Sequence, residues 1–220
     1  MSKKINLQKI KLSSTLKEYT DVYEAIDDIL DYEVLEDSLI KNGKIEDINN
    51  LRIKFNGCIF RNIVFENCDF RKIDLVDVKF ENCDLSNIDF SDSGIYRTEF
   101  KNCKLIGSIF NDSILKSVYF NNCIGKYSNF AFSKFKGVSF NESDFSSSVF
   151  QEVKNESLII KSINFTNAVF TGVSLNEVDF SDSIIDGIEV KINDIKGGIF
   201  SVSQAVDLTK LMEITIKYTN

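Results

Sequence analysis

Residues 55–110 read FNGCIF RNIVFENCDF RKIDLVDVKF ENCDLSNIDF SDSGIYRTEF KNCKLIGSIF, and every fifth residue of the stretch is large and apolar, from Phe55, Phe60 and Phe65 to Phe100, Leu105 and Phe110. Carried outward, the series runs to Phe200. Of its 30 positions, 28 are Phe, Leu, Ile or Val, and only Gly125 and Asn155 break it. The chain holds 19 Phe, and 18 lie on this comb, with Phe132 the sole stray. Neither the 3.6-residue period of an amphipathic helix nor the two-residue period of a half-buried strand divides five. A short fixed period means a solenoid instead.

A second regularity gives the length of one turn. Multiples of ten are almost all Phe, whereas odd multiples of five mix Leu, Ile and Phe. Four five-residue sides closing a turn of twenty put the two Phe-rich sides opposite each other. Asn62, Asn82, Asn102 and Asn122 then stack as an amide ladder, and Arg61, Glu81 and Lys101 stack with alternating sign. The absence of Pro in 220 residues, where average usage gives about eleven, fits continuous hydrogen-bonded ladders. The spacing predicts a β-helix over 38–202, with 1–37 and 203–220 as caps. Gly125 and Asn155 are defects in the rod, and because the register survives on both sides of Asn155, no long loop is expected there.

These residues resemble the pentapeptide repeat family, whose motif is a small residue, Asp or Asn, then Leu or Phe. Cys68-Asp69-Phe70, Cys83-Asp84-Leu85 and Ala168-Val169-Phe170 stand in its register. The resemblance implies an all-β, right-handed quadrilateral parallel β-helix with short helical caps, the Leu/Phe centre and the small residue two before it both pointing inward. It implies little about function.

The flanks read as caps for an open-ended solenoid, which otherwise exposes apolar side chains and strand edges. Residues 3–12 are expected to form a short strand. A helix follows, with Thr15 and Glu18 as a capping box and Val22, Ile26, Ile29 and Leu30 as its apolar stripe. Beyond Phe200, Ser203 is the expected N-cap of a helix lined by Ala205, Leu208, Leu211 and Met212, and Ile214 with Ile216 alternates as a strand. This last segment is similar to the C-terminal helix and strand of quinolone-resistance members of the family. That resemblance implies a homodimer joined end to end through it.

Composition narrows the function. A net charge of −7 and a pI near 4.8 argue against direct binding of nucleic acid or of an anionic membrane. The first residues carry lysines without an apolar run behind them, so no secretory signal is read. A cytoplasmic protein with reduced thiols is expected. Cys58, Cys68, Cys83, Cys103 and Cys123 all fall two residues before a comb position, where small apolar residues fill the core. With no His, no C-x-x-C pair and no nucleotide-binding glycine motif, neither an enzyme nor a metal or cofactor site is expected.

The expected activity is therefore binding of a protein partner. Asp69, Asp89, Asp92 and Asp112 gather on one side. The family resemblance suggests that such a side imitates DNA phosphates before DNA gyrase or another topoisomerase. Arg71, Lys72 and a lysine stripe on the neighbouring side depart from that pattern, and the alternative is a scaffolding module. Tyr127 and Phe132 take outward slots; either they mark a contact site or they fold back over the gap left by Gly125.

Overall fold

The computed structural model describes residues 7–49, 51–214 and 217. The comb winds into a parallel β-solenoid of about seven turns. Each ladder links a residue to the one twenty ahead: Phe60 to Phe80, Phe80 to Phe100, Phe100 to Phe120, Phe120 to Phe140 and Phe140 to Ile160. Four five-residue steps thus close one turn. We number the sides by their centres: the first holds Phe55, Leu75, Ile95 and Leu115, the second Phe60 to Phe140, the third Phe65, Leu85 and Leu105, and the fourth Phe70, Phe90, Phe110, Phe130, Phe150 and Phe170. The first and second sides are joined in eight-residue strands such as Gly94–Lys101, Ile114–Asn121 and Lys134–Asn141. The third and fourth are held by single bridges such as Asp84↔Lys104 and Asp69↔Asp89.

Two columns of Phe rings fill the interior. On the second side, Phe80, Phe100 and Phe120 stack at 5.1 and 5.0 Å within 5° of parallel. On the fourth, Phe110, Phe130 and Phe150 stack at 4.7 and 5.0 Å. Between columns the rings meet edge to face, as Phe110 and Phe120 do at 6.0 Å and 85°. Stacking at the coil spacing with edge-on contact across the core gives the quadrupoles favourable geometry in both directions.

The corners explain the polar part of the repeat. From Phe55 to Leu175 the residue two after every centre but Asn155 takes a left-handed backbone: Asn62, Asn82, Asn102 and Asn122 have φ between 53 and 55°. Asn, Asp and Gly tolerate that region best. The corner amides also form a ladder longer than the sequence suggested, each Nδ2 donating to the Oδ1 one coil earlier, from Asn122 through Asn102, Asn82 and Asn62 to Asn42. Of the charge column, Arg61 pairs with Glu81 at 2.7 Å.

The small inward slot is more than filler. At many positions its thiol or hydroxyl donates to a carbonyl 23 residues earlier, as Cys83 does to Phe60, Cys103 to Phe80, Cys123 to Phe100, Ser93 to Phe70 and Ser113 to Phe90, whereas Ser133 and Ser148 turn to Phe130 and Phe145 three residues earlier. All five cysteines are buried. Burial pushes the Cys58 thiol up to about 12 and that of Cys68 to about 11. Contact with Cys103, then burial, raises that of Cys83. The five thiols should therefore stay silent to Ellman's reagent in native buffer and react together once urea unfolds the chain. A thiol reacting within seconds in the native protein would place it outside the core.

A short helix stands near each end, with local differences from the sequence expectation. Helix α1 (Val22–Tyr32) starts at Asp21, whose side chain accepts from Tyr23 N, and not at Thr15. Lys17–Glu18 are taken instead into a strand pairing with Ser38 and Leu39. Val22, Ile26 and Ile29 of the expected stripe pack on the core together with Ala25, whereas Leu30 is exposed. At the other end, Ser201, not Ser203, caps α2 (Val202–Leu208) in a capping box with Gln204. The Gln204 amide plugs the open coil by donating to Phe180 O at 2.9 Å and Ser183 O at 2.7 Å. Ile214 is not in a strand, and Ile216 lies outside the described residues.

Residues 7–12 form no regular element, and 3–6 lie outside the described residues. Residues 8–11 instead run lengthwise along the corner between the first and second sides. Gln8 N donates to Ser117 Oγ, Tyr119 Oη to Gln8 O, and Lys11 N to Asp77 Oδ1 at 2.8 Å. Arg97 grips the same Asp77 through both carboxylate oxygens at 2.7 Å. Burial alone would raise the Asp77 carboxyl, but Arg97 and the Lys11 amide hold it below the usual carboxylate range.

At Asn155 the register slips by one residue, with Lys136 opposite Ser157 before Val138 meets Leu158. The displaced Glu156 lies 3.8 Å from both Lys134 and Lys136. The excursion is a β-bulge, and the expectation of no long loop holds.

Candidate functional site

The turn of twenty places all six candidate surface residues on or beside the fourth side. Asp69 and Asp89 stand one before Phe70 and Phe90, outward and bridged across adjacent coils. Asp92 and Asp112, two after Phe90 and Phe110, are exposed at the corner with the first side, at φ 58 and 57°. Phe132 continues that corner. Tyr127, two after Gly125, forms the opposite corner with the third side. In the sequence the carboxylates and the aromatics are separate candidates; the fold sets them on or beside one side.

The carboxylates are not equivalent. Asp69 is held by Arg71, whose Nε lies 2.9 Å from both oxygens, and this contact keeps its carboxyl below the usual range. Asp89 accepts from Ser91 N at 2.8 Å and lies 4.0 Å from Arg71. These two are spent largely on local turns. Asp92 and Asp112 make no ion pair among the described residues and face water.

Further along, the fourth side becomes uncharged. Ile109, Asn129, Val149 and Val169 form one bridged, half-buried column. Ala131 is buried beside them, its N–H held by Asn129 Oδ1 at 3.0 Å. The Oδ1 of Asn111, in the neighbouring column, is buried without a donor among the described residues.

Tyr127 and Phe132 bracket this stretch at 66% and 54% exposure. They do not fold back over Gly125. That space is taken from within by the Phe145 ring, with which a Cβ at 125 would collide. Phe145 packs there 4.7 Å from Phe140 and 5.7 Å from Phe120. Both exposed aromatics have left-handed backbones, φ 59 and 61°, at corners where the chain otherwise favours Asn, Asp or Gly. A bulky residue there is strained by about 1 kcal/mol or more. Tyr127→Asn and Phe132→Asn should thus each raise stability, by roughly 0.5–1 kcal/mol, read as a higher urea midpoint at unchanged slope. A lower midpoint would mean the rings help hold the fold.

A shallow furrow of about 840 Å³ runs along the third side, lined by Asn102, Asn122, Glu142, Ser162 and Asp182 among others. No group of His, Cys, Asp or Glu among the described residues could hold a metal ion. No helix among them is long and apolar enough to cross a membrane. At the C-terminal end, Leu208 and Leu211 pack on the core cluster, while Ala205, Met212 and Ile214 are exposed, as is Val202.

The profile of the pentapeptide repeat region matches residues 53–130 and 73–147, and that of the eight-copy pentapeptide repeats matches residues 161–187. No curated protein matches the sequence. Among solved structures, trypsin-treated QnrB1, a plasmid-mediated fluoroquinolone resistance protein, is 17% identical over 84% of this chain and 99% of its own, with a TM-score of 0.49. HetL, a pentapeptide repeat protein involved in heterocyst differentiation regulation in the cyanobacterium Nostoc sp., is 11% identical over 83% and 98%, at 0.27. Rfr23 from the cyanobacterium Cyanothece is 12% identical over 82% and 100%, at 0.28.

Proposed function

Because this chain belongs to the pentapeptide repeat family, whose interior is given over to packing, we propose that it acts through its outward side chains, as a non-catalytic, protein-binding β-helix that engages its partner with the fourth side. One observation carries this reading: two large aromatic rings stand in solvent on strained corners and leave the nearest gap in the core to Phe145. Strain kept without a packing return is a mark of function, and exposed aromatics anchor interfaces. Immobilised protein should retain a partner from extracts of its own cells, and the Tyr127→Asn/Phe132→Asn variant should lose it while keeping its fold. Equal retention by both would remove the fourth side as the contact surface.

The finer form of the proposal is modulation of DNA gyrase or another topoisomerase by DNA mimicry. Four carboxylates on one side support it; the engagement of Asp69 and Asp89 by Arg71 and Ser91 weighs against it. In a gyrase supercoiling assay this form expects inhibition that drops at least tenfold on Asp89→Asn/Asp92→Asn/Asp112→Asn. No inhibition, with no relief of quinolone-induced cleavage, leaves the scaffolding form of the same binding function.

The C-terminal residues Val202, Ala205, Met212 and Ile214, exposed beyond the last coil, support a homodimer through that end, with 1–37 and 203–220 serving as caps. Sedimentation should then give twice the 25.1 kDa chain mass, and a monomer on Met212→Glu.

A further inference from the structure

Resting on the protein-binding reading above, we infer that the fourth side between Gly107 and Gly172 receives an amphipathic α-helix of a partner protein, laid along the rod. Its apolar stripe covers Ile109, Val149 and Val169, and its Lys/Arg flank faces the edge formed by Asp92, Asp112 and Glu152.

Charge defines the footprint. The outward positions of this side from Gly107 to Gly172 carry no Lys or Arg, in a chain of which 27% is charged, and Lys126, just before the Tyr127 corner, turns to Asp144 of the third side at 3.2 Å. Its two edges differ. The edge toward the first side runs Asp92, Asp112, Phe132, Glu152, all exposed, and the edge toward the third side runs Asn87, Gly107, Tyr127, Ser147, Asn167 without a charge. A cationic flank is thus matched on one edge only, where the exposed Phe132 ring adds a cation–π partner for the same charges. Lys116 and Lys154 on the adjacent first side bound the footprint by repelling that flank, whereas Lys134 and Lys136 lie 3.8 Å from Glu156.

Geometry selects a helix over a strand. Along this side the backbone groups are already used, Phe110 N to Asn129 O, Asn129 N to Ser108 O, Phe130 N to Val149 O and Val149 N to Ser128 O. No free strand edge is left for β-addition, so the partner must be read through side chains. Coils repeat every ~4.8 Å, and a helix rises about 5.4 Å per turn. Over the three steps from Ile109 to Val169 the mismatch accumulates to only about 2 Å, so residues spaced i, i+4, i+7 and i+11 fall on successive coils. Midway, the Asn129 amide N–H groups have no protein acceptor among the described residues, a polar handle that fixes the register of the incoming helix.

A display library of 18-residue peptides, with helical, alternating β-type and disordered scaffolds in equal number, tests this directly. Selection on the wild-type protein with counter-selection on Tyr127→Asn/Phe132→Asn should enrich helical clones with an i, i+4, i+7 apolar stripe and Lys or Arg on one flank. Their affinity should fall at least tenfold on Phe132→Asn, and severalfold on Asp112→Asn at low salt. Enrichment of extended or acidic clones, or of none that distinguishes the two proteins, overturns the helix. A photo-crosslinking amino acid at position 132, used in the protein's own cells, separates this failure from that of the broader reading. A crosslink to a non-helical protein segment leaves the fourth side as an interface and discards the helix, whereas no protein crosslink discards both.

Discussion

Phe100→Asp should abolish the folded state. Phe100 has no exposed surface and is sandwiched between Phe80 and Phe120 at 5.1 and 5.0 Å, with Phe90 and Phe110 edge-on. Removing a buried ring of this kind costs about 3–5 kcal/mol. A carboxylate left in its place, with no cation in the core, adds several more. Together these meet the ~5–15 kcal/mol that holds a typical domain. The β-type circular dichroism and the cooperative melt should both vanish. Phe100→Leu, a residue that already serves as a centre at positions 85, 105 and 115, should fold with a lowered midpoint. A Phe100→Asp protein that melts like the wild type would put the ring in solvent.

The second large effect runs against the sequence pattern. Gly125 interrupts a column of bulky centres, so Gly125→Leu looks like a repair. The space is already occupied by the Phe145 ring, and the added side chain should overpack the core and destabilise by about 1–3 kcal/mol. The double variant Gly125→Leu/Phe145→Leu restores one centre per coil and should recover most of the loss, with a coupling energy above ~1 kcal/mol. Urea unfolding of the four proteins of the cycle measures it. A stabilising Gly125→Leu would show the ring elsewhere.

That reversal marks where the sequence ceases to be sufficient. The sides, the turn of twenty and the inward slots follow from a period, because only a four-cornered winding buries a bulky centre every fifth residue. How one ring leans into a neighbour's vacancy depends on packing across coils, which no period encodes. The helix starts depart from the local capping preference for a similar reason. Thr15 and Ser203 satisfy local capping preferences, but pairing of Lys17 and Glu18 with Ser38 and Leu39, and docking of Gln204 on the last coil, outcompete them. At the candidate site, counting by twenty was enough to place Asp69, Asp89, Asp92 and Asp112 on one side. The signal that joins Tyr127 and Phe132 to them was also present, since the position two after each centre is rich in Asn, Asp and Gly. It becomes a statement about strain only once the corners are known to be left-handed.

The lengthwise arm at residues 8–11 bears on how the rod comes apart. A solenoid held only by neighbouring coils loses them one at a time from its ends. Here a single extended segment reaches from Asp77 to Ser117, so the coils beneath it cannot separate without releasing their shared tie. Hydrogen exchange should find the amides from 77 to 117 opening together as one block, while the coils beyond Asn155, which no such arm ties among the described residues, open earlier and independently.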